Sequence, residues 1–162
     1  MKTVLIHSLM LTLLLGINSA AAEETSGSGH VQRSPSAEGS SVGFANLSDG
    51  DIVPPQFAVR FTISGMGIAP AGSQIDNTGH HHLLIDLDEP PPMDRPLPAN
   101  ENILHFGKGQ TDTELTLAEG VHTLQLLLAD YAHVPHDPPV MSERISITVS
   151  RDATAPEASA QD

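Results

Sequence analysis

The chain contains no cysteine and no tryptophan, and it has few aromatic and few cationic residues. Without cysteine it cannot form disulfides, bind a metal through thiolates, use a cysteine nucleophile or carry a lipid on an N-terminal cysteine. Seven Lys and Arg stand against 20 Asp and Glu, for a formal net charge of −13, and this argues against nucleic acid as a partner because phosphate binding needs clustered Lys and Arg. Only 3% of the residues are aromatic, too few for a carbohydrate-binding platform.

The first 22 residues have the pattern of a cleavable secretory signal peptide. Lys2 gives a positive start, Val4 to Ile17 is a mostly apolar run, and small residues precede Glu23. The run is shorter than the roughly 20 apolar residues that a membrane span needs. We therefore expect export to the periplasm or beyond, cleavage before Glu23, and no membrane span after cleavage.

Composition divides the rest of the chain into one folded unit and two flanks. Residues 23–41 and 151–162 are rich in small and charged residues and poor in apolar ones, so they cannot bury enough surface to offset the entropy of ordering. We expect a flexible linker at 23–41, a disordered tail at 151–162 and one domain over 42–150, which is long enough to enclose a single core.

The hydrophobic period inside this domain is 2, and clusters of Gly, Pro, Asn and Asp interrupt it at short intervals. That pattern predicts an all-β fold, a single immunoglobulin-like antiparallel β-sandwich of about seven strands. The strands are expected at 42–46, 57–64, 80–88, 103–106, 114–117, 121–129 and 141–149.

Two resemblances support this interpretation. LAEGVHTLQL (117–126), Asp130 and ISITV (145–149) resemble the last strands of many bacterial immunoglobulin-like domains. Longer segments resemble the exported bacterial family catalogued as domain of unknown function 4399, namely SGMGIAPAG (64–72), GHHHLLID (79–86), HFGKGQT (105–111) and HVPHDPPVMS (133–142). The second resemblance implies export and the domain limits, and it implies no particular activity.

Histidine is the chemical feature that the domain has in excess. Seven of the nine histidines lie between residues 80 and 136: His80, His81, His82, His105, His122, His133 and His136. Strand alternation puts His81 on the inward face with every second residue from Leu83 to Leu87, and it puts His122 in line with every second residue from Leu124 to Leu128. Their strands are neighbours in an immunoglobulin-like sheet, so we expect His81 and His122 to meet near one end of the core, either as structural histidines or as ligands.

His80 and His82 are the stronger ligand candidates because they project together from the opposite strand face. His133 and His136 add an H-x-x-H pair on a proline-rich loop, and His105 lies on a short edge strand. Imidazole suits Cu(II), Zn(II) and Ni(II), and three methionines offer a thioether for copper: Met66, Met93 and Met141. The expected cofactor is a copper or zinc ion, whose affinity should fall as the pH falls through about 6.

Three functions are compatible with these features. The leading one is transition-metal binding in the periplasm. The rival is a non-catalytic envelope interaction module with structural histidines, whose partner is an unidentified envelope protein. A weaker alternative is a metal-dependent hydrolase or oxidase that uses Asp86, Glu114 or Glu143 as the base, although the sequence has neither an H-E-x-x-H nor a G-x-S-x-G motif.

Overall fold

A computed structural model describes residues 31–154, and within those residues the fold is all-β, with nine strands and no helix. The all-β prediction is therefore confirmed, while the immunoglobulin-like assignment stays a prediction. The predicted signal peptide, residues 23–30 of the predicted linker and residues 155–162 of the predicted tail lie outside the described residues.

Seven of the strands fall where the period-2 pattern predicts them. The structure adds two strands of two residues each, too short to produce any alternation. In chain order the strands are β1 (Ser41–Phe44), β2 (Ile52–Val53), β3 (Gln56–Ser64), β4 (Gly67–Ile68), β5 (Thr78–Ile85), β6 (Ile103–His105), β7 (Asp112–Thr116), β8 (Gly120–Ala129) and β9 (Ile145–Val149).

The strands form two sheets that face each other across the main core. The smaller sheet has the order β1-β3-β7, and the larger has the order β2-β9-β8-β5-β4, with β6 also paired to β5. Strand β3 shows the alternation most clearly, since Phe57, Val59 and Phe61 are buried and the residues between them are exposed. These rings and Val59 pack against the inward side chains of β5, β8 and β9.

The larger sheet is covered on its outer face as well. Leu84 and Leu127 belong to a second apolar cluster, which residues of the 86–102 segment complete, among them Leu97. Every residue of β5 from Gly79 to Ile85 is consequently buried. The strand ends at Ile85, and the φ of 54° at Asp86 breaks the alternation. The prediction that Leu87 faces the main core is therefore wrong, because Leu87 packs against the outer cluster.

Part of the predicted linker is bound to the domain. Ser36 N–H donates to Asp137 O at 3.1 Å and Asp137 N–H donates to Ser34 O at 2.9 Å. Arg33 donates from Nε to Pro135 O at 2.9 Å and also to the carbonyl of His136. Composition misses this contact because backbone and guanidinium hydrogen bonds require no apolar side chains. We call residues 33–36 the N-terminal strap.

Candidate metal centre

Strand β5 places its three histidines on two different faces. His81 points into the main core, where its ring lies 5.0 Å from the ring of Phe61. His80 and His82 point to the outer face, as the alternation predicts. That face is not open to solvent, because the outer cluster covers it, and His80 and His82 are 0% and 1% exposed.

Two further histidines join His80 and His82 on the outer face. His105 comes from β6, where the strand register pairs it directly with His82, and His133 comes from the loop that follows β8. The ring centroids of His105 and His133 are 4.7 Å apart, and those of His80 and His82 are 4.8 Å apart. We call these four residues the histidine cluster.

Three members of the cluster are close enough to share one ion. Each of His80, His82 and His105 offers a ring nitrogen, and these nitrogens lie within 4.8 Å of one another. Four nitrogens bound tetrahedrally at about 2.1 Å from zinc are themselves about 3.4 Å apart. Small side-chain rotations therefore suffice to close the group around an ion.

The buried rings of the cluster lack partners. Both ring nitrogens of His80, Nδ1 of His82 and Nδ1 of His133 are buried without a hydrogen bond among the described residues. An unsatisfied buried polar atom costs about 1–3 kcal/mol. A metal ion bound by these nitrogens would take the place of the missing hydrogen-bond partners.

The environment keeps these imidazoles neutral. Burial, and then the neighbouring charges of His133 and His105, lower the pKa of His80 to about 4. Burial, followed by His80 and His105, lowers the pKa of His82 to about 3. The pKa of His105 is also lowered, by burial and by His133. Neutral imidazole is the form that binds metal.

The loop that carries His133 is held tightly. His133 has a φ of 67°, and its N–H donates to Asp130 O at 2.9 Å. The Asp130 carboxylate accepts the N–H groups of Ala132 and Val134 through Oδ1 and the hydroxyl of Ser34 through Oδ2 at 2.6 Å. Asp130 and the N-terminal strap thus fix the backbone around His133. Residues 33 and 34 give no sequence signal of this role.

His136 and His81 do not join the cluster. A Cβ added to Gly79 would lie 2.9 Å from Cε1 of His136, so His136 packs on the β5 face that Gly79 shares with His81. His81 itself is fully buried in the main core with both ring nitrogens unpaired among the described residues. The prediction that His133 and His136 act as a pair is not supported by this placement, because the loop sends them to opposite sides of the strand.

His122 lies far from the cluster, at the other end of the same pair of strands. The register sets His81 opposite Leu128, so the predicted meeting of His81 and His122 is wrong. His122 instead contacts Asp86 Oδ2 through Nδ1 at 2.7 Å and Ala118 O through Nε2 at 2.9 Å. The strands are neighbours, as predicted, but their antiparallel register separates the two histidines.

Two of the three suggested catalytic bases, Asp86 and Glu114, are not aimed at the cluster. Asp86 binds His122 and the N–H of Thr123, and Glu114 accepts a hydrogen bond from Gln56 on the smaller sheet. The methionines are dispersed too: Met66 packs against the main core, and Met93 and Met141 pack against the outer cluster.

Fold and site together define an all-β protein with a cluster of imidazoles on the outer face of its larger sheet. The chain belongs to a family described as a domain of unknown function (DUF4399), whose model matches residues 59–150, more than half of its 162 residues. No curated protein and no solved structure matches the chain. No helical segment of the described residues has the length and apolar character of a membrane span.

Proposed function

We propose that this protein binds a transition-metal ion, Cu(II) or Zn(II), in the periplasm. The ligands are His80, His82 and His105, and His133 stands beside them. The observation that carries the proposal is that ring nitrogens from two strands lie within 4.8 Å of one another, while buried nitrogens of the same cluster have no hydrogen-bond partner among the described residues.

The chemistry of the donors sets the class of ion. The group consists of imidazoles alone, and imidazole favours Cu(II), Zn(II) and Ni(II), whereas Mg²⁺ and Ca²⁺ require oxygen ligands. Because the chain has no cysteine, thiolate binding of Cu(I) is not available. Among the borderline ions the general order of affinity places Cu(II) highest.

The lowered pKa values of His80 and His82 refine the expected pH dependence. Protons compete with the metal only below the pKa of each ligand, and these two ligands titrate at about 4 and about 3. Because the pKa of the third ligand, His105, is also lowered, we expect metal binding to be lost at a lower pH than about 6, where an ordinary histidine becomes protonated.

Calorimetric titration of the metal-free exported chain, residues 23–162, tests the proposal. We expect one ion per chain with a Kd below about 10 μM for Cu(II) or Zn(II). The His80→Ala/His82→Ala variant should lose this binding. A control variant, His122→Ala, should keep it, since both ring nitrogens of His122 are bonded to Asp86 and Ala118, away from the cluster.

A variant of an exposed ligand separates loss of binding from loss of fold. His105 is exposed, so His105→Ala leaves the buried core in place and should still weaken binding strongly. Saturable binding that survives both His105→Ala and the His80→Ala/His82→Ala change would place the ion elsewhere and overturn the proposal.

One observation favours the rival function, an envelope interaction module. Ile52 and Val121 are 62% and 70% exposed, and both are in register with Thr148, so they form one apolar row on the outer face at the end of the sheet remote from the cluster. Co-purification of a stoichiometric envelope protein by the metal-free chain, lost on Ile52→Ser/Val121→Ser, would support this function.

A further inference from the structure

We infer that the ion held by His80, His82 and His105 keeps a coordination position for a small exogenous ligand, water or a small anion, beside the ring of His133. This inference rests on the proposed metal binding. It concerns what the bound ion can do, because closed four-ligand sites are structural, whereas sites with three protein ligands accept water or a substrate in the fourth position.

The first support is the spacing of the rings. Four imidazoles bound tetrahedrally to one ion have ring centroids about 5.3 Å apart in every pair, given bonds of about 2.1 Å. The three ligand rings lie within about 0.5 Å of this value, at 4.8 Å for His80 and His82, 4.9 Å for His80 and His105, and 5.1 Å for His82 and His105.

The ring of His133 departs furthest from this tetrahedral spacing. His133 lies 4.7 Å from His105 and 5.0 Å from His80, but 6.2 Å from His82. It is therefore displaced from the fourth corner of the tetrahedron and away from His82. Its backbone cannot readily follow the ion, because the hydrogen bonds of Asp130 and the N-terminal strap fix the loop on both sides.

The second support is that, among residues 31–154, the group of mutually close ligand atoms contains only His80, His82 and His105. Asp130 is the carboxylate whose charge reaches His80, yet its oxygens already accept hydrogen bonds from Ala132, Val134 and Ser34. An ion would have to break the fold of the His133 loop to use it. Within the described residues this leaves the fourth coordination position to a ligand from solution.

The third support is access. The cluster has a buried floor, His80 and His82, and a rim that solvent reaches, since His105 is exposed and His133 is half-buried. A small ligand can approach the ion past the rim without movement of the sheet. Nδ1 of His133, buried and unpaired among the described residues, is suited to a hydrogen bond with such a ligand.

Azide binding to the Cu(II)-loaded exported chain tests the inference, after the loaded protein is shown to hold one ion per chain. We expect a saturable azide-to-copper charge-transfer absorption and a changed electron paramagnetic resonance spectrum, with copper retained. Unchanged spectra at about 100 mM azide, far above an ordinary millimolar Kd, would show a closed site and overturn the inference. Failure of the proposed function is a different result, namely no copper uptake at all.

A variant of His133 gives an independent test. His133→Asn suits the backbone, because Asn tolerates a positive φ. If His133 lies beside an exogenous ligand, this change weakens azide binding and lowers copper affinity by no more than the roughly 10–100-fold that loss of an outer-sphere partner costs, whereas loss of a fourth ligand would lower copper affinity further and open a new position for azide. The larger loss, accompanied by new azide binding, would overturn the inference. His133→Gly, which also accepts the φ of 67°, controls for residual binding by the amide.

Discussion

His82 and His122 occupy neighbouring strands of one sheet and differ in burial, in hydrogen bonding and in the direction in which their pKa is shifted. His82 is almost fully buried among other imidazoles, and burial and the nearby histidine charges lower its pKa to about 3. Burial also lowers the pKa of His122, but hydrogen bonds to Asp86 and Ala118 and the charge of Asp86 outweigh it, so the pKa is raised.

The difference shows what distinguishes a structural histidine from a candidate metal ligand. Both ring nitrogens of His122 are used by the fold, through a carboxylate and a backbone carbonyl. At the other end of the strands the buried nitrogens have no such partners among residues 31–154. A histidine whose nitrogens are already bonded can stabilise the protein, and one whose nitrogens are free can hold an ion.

The largest expected difference between the two ends is in stabilisation by metal. An ion at 100 times its Kd raises the free energy of unfolding by about 2.7 kcal/mol. We expect this gain for the unmodified chain and for His122→Ala, and none for His80→Ala/His82→Ala. Chemical denaturation with and without Cu(II) or Zn(II) measures it. Equal stabilisation of the two variants would contradict the assignment of the ion to the cluster.

The second prediction is that the two ends respond to pH with opposite sign when no metal is present. In the unfolded chain His80 and His82 have a pKa of about 6.5, whereas in the folded chain their pKa values are about 4 and about 3. Below 6.5 the unfolded state therefore binds more protons, and the free energy of unfolding falls by about 1.4 kcal/mol per pH unit for each such histidine, levelling off near the folded pKa. His122 behaves conversely: its raised pKa contributes stability that is complete below 6.5 and lost as the pH rises through the folded value.

Urea denaturation from pH 4.5 to 8 checks this second prediction. His80→Ala/His82→Ala should flatten the fall in stability between pH 6.5 and pH 4.5. His122→Ala should leave that fall unchanged and should instead remove the gain in stability that His122 gives as the pH falls from 8 to 6.5. An unchanged slope in the double variant would mean that these rings become protonated within the fold.

Much of the fold was predictable from local pattern, because alternation in a strand such as β3 directly records which face is buried. The two-residue strands β2 and β4 were not, since their pairing depends on distant partners. The N-terminal strap was missed for the same reason: Arg33 and Ser34 act on a loop about 100 residues later, and their contacts leave no trace in composition.

The site was predictable in its residue type and only partly in its membership. Alternation correctly separated His81 from His80 and His82. Two other features depend on the tertiary structure and are not encoded in a local pattern. They are the register that pairs His82 with His105 and the turn that gives His133 its φ of 67°. The sequence therefore offered seven candidate histidines. The antiparallel register separates His122 from the histidine cluster, and the loop after β8 separates His136 from it.

A smaller effect is expected from His81, which shares the strand of the cluster but not its face. Its unpaired ring nitrogens lie in the apolar core against Phe61. Replacing an unsatisfied buried polar group by an apolar one of similar shape removes a desolvation penalty of about 1 kcal/mol or more. His81→Phe should thus raise the free energy of unfolding while leaving metal affinity unchanged. Denaturation and calorimetry measure the two effects. Loss of metal binding in a folded His81→Phe chain would show that the two faces of β5 are coupled.

The smallest effect is expected at the remote end, from Asp86→Asn. Asn tolerates the φ of 54° at this position and can still accept the N–H of Thr123, so the change removes mainly the negative charge beside His122. We expect the pKa of His122 to fall, because the charge of Asp86 and its charge-assisted hydrogen bond are two of the interactions that raise it. We expect the free energy of unfolding at pH 6 to fall by about 1 kcal/mol or less. An NMR pH titration of the imidazole resonances measures the first effect, and the histidine cluster serves as the internal control, since its resonances should be unaffected. A fall in the pKa of His80 or His82 on this substitution would mean that the two ends of the sheet are not electrostatically independent. His122 and the histidine cluster would then titrate as one coupled system.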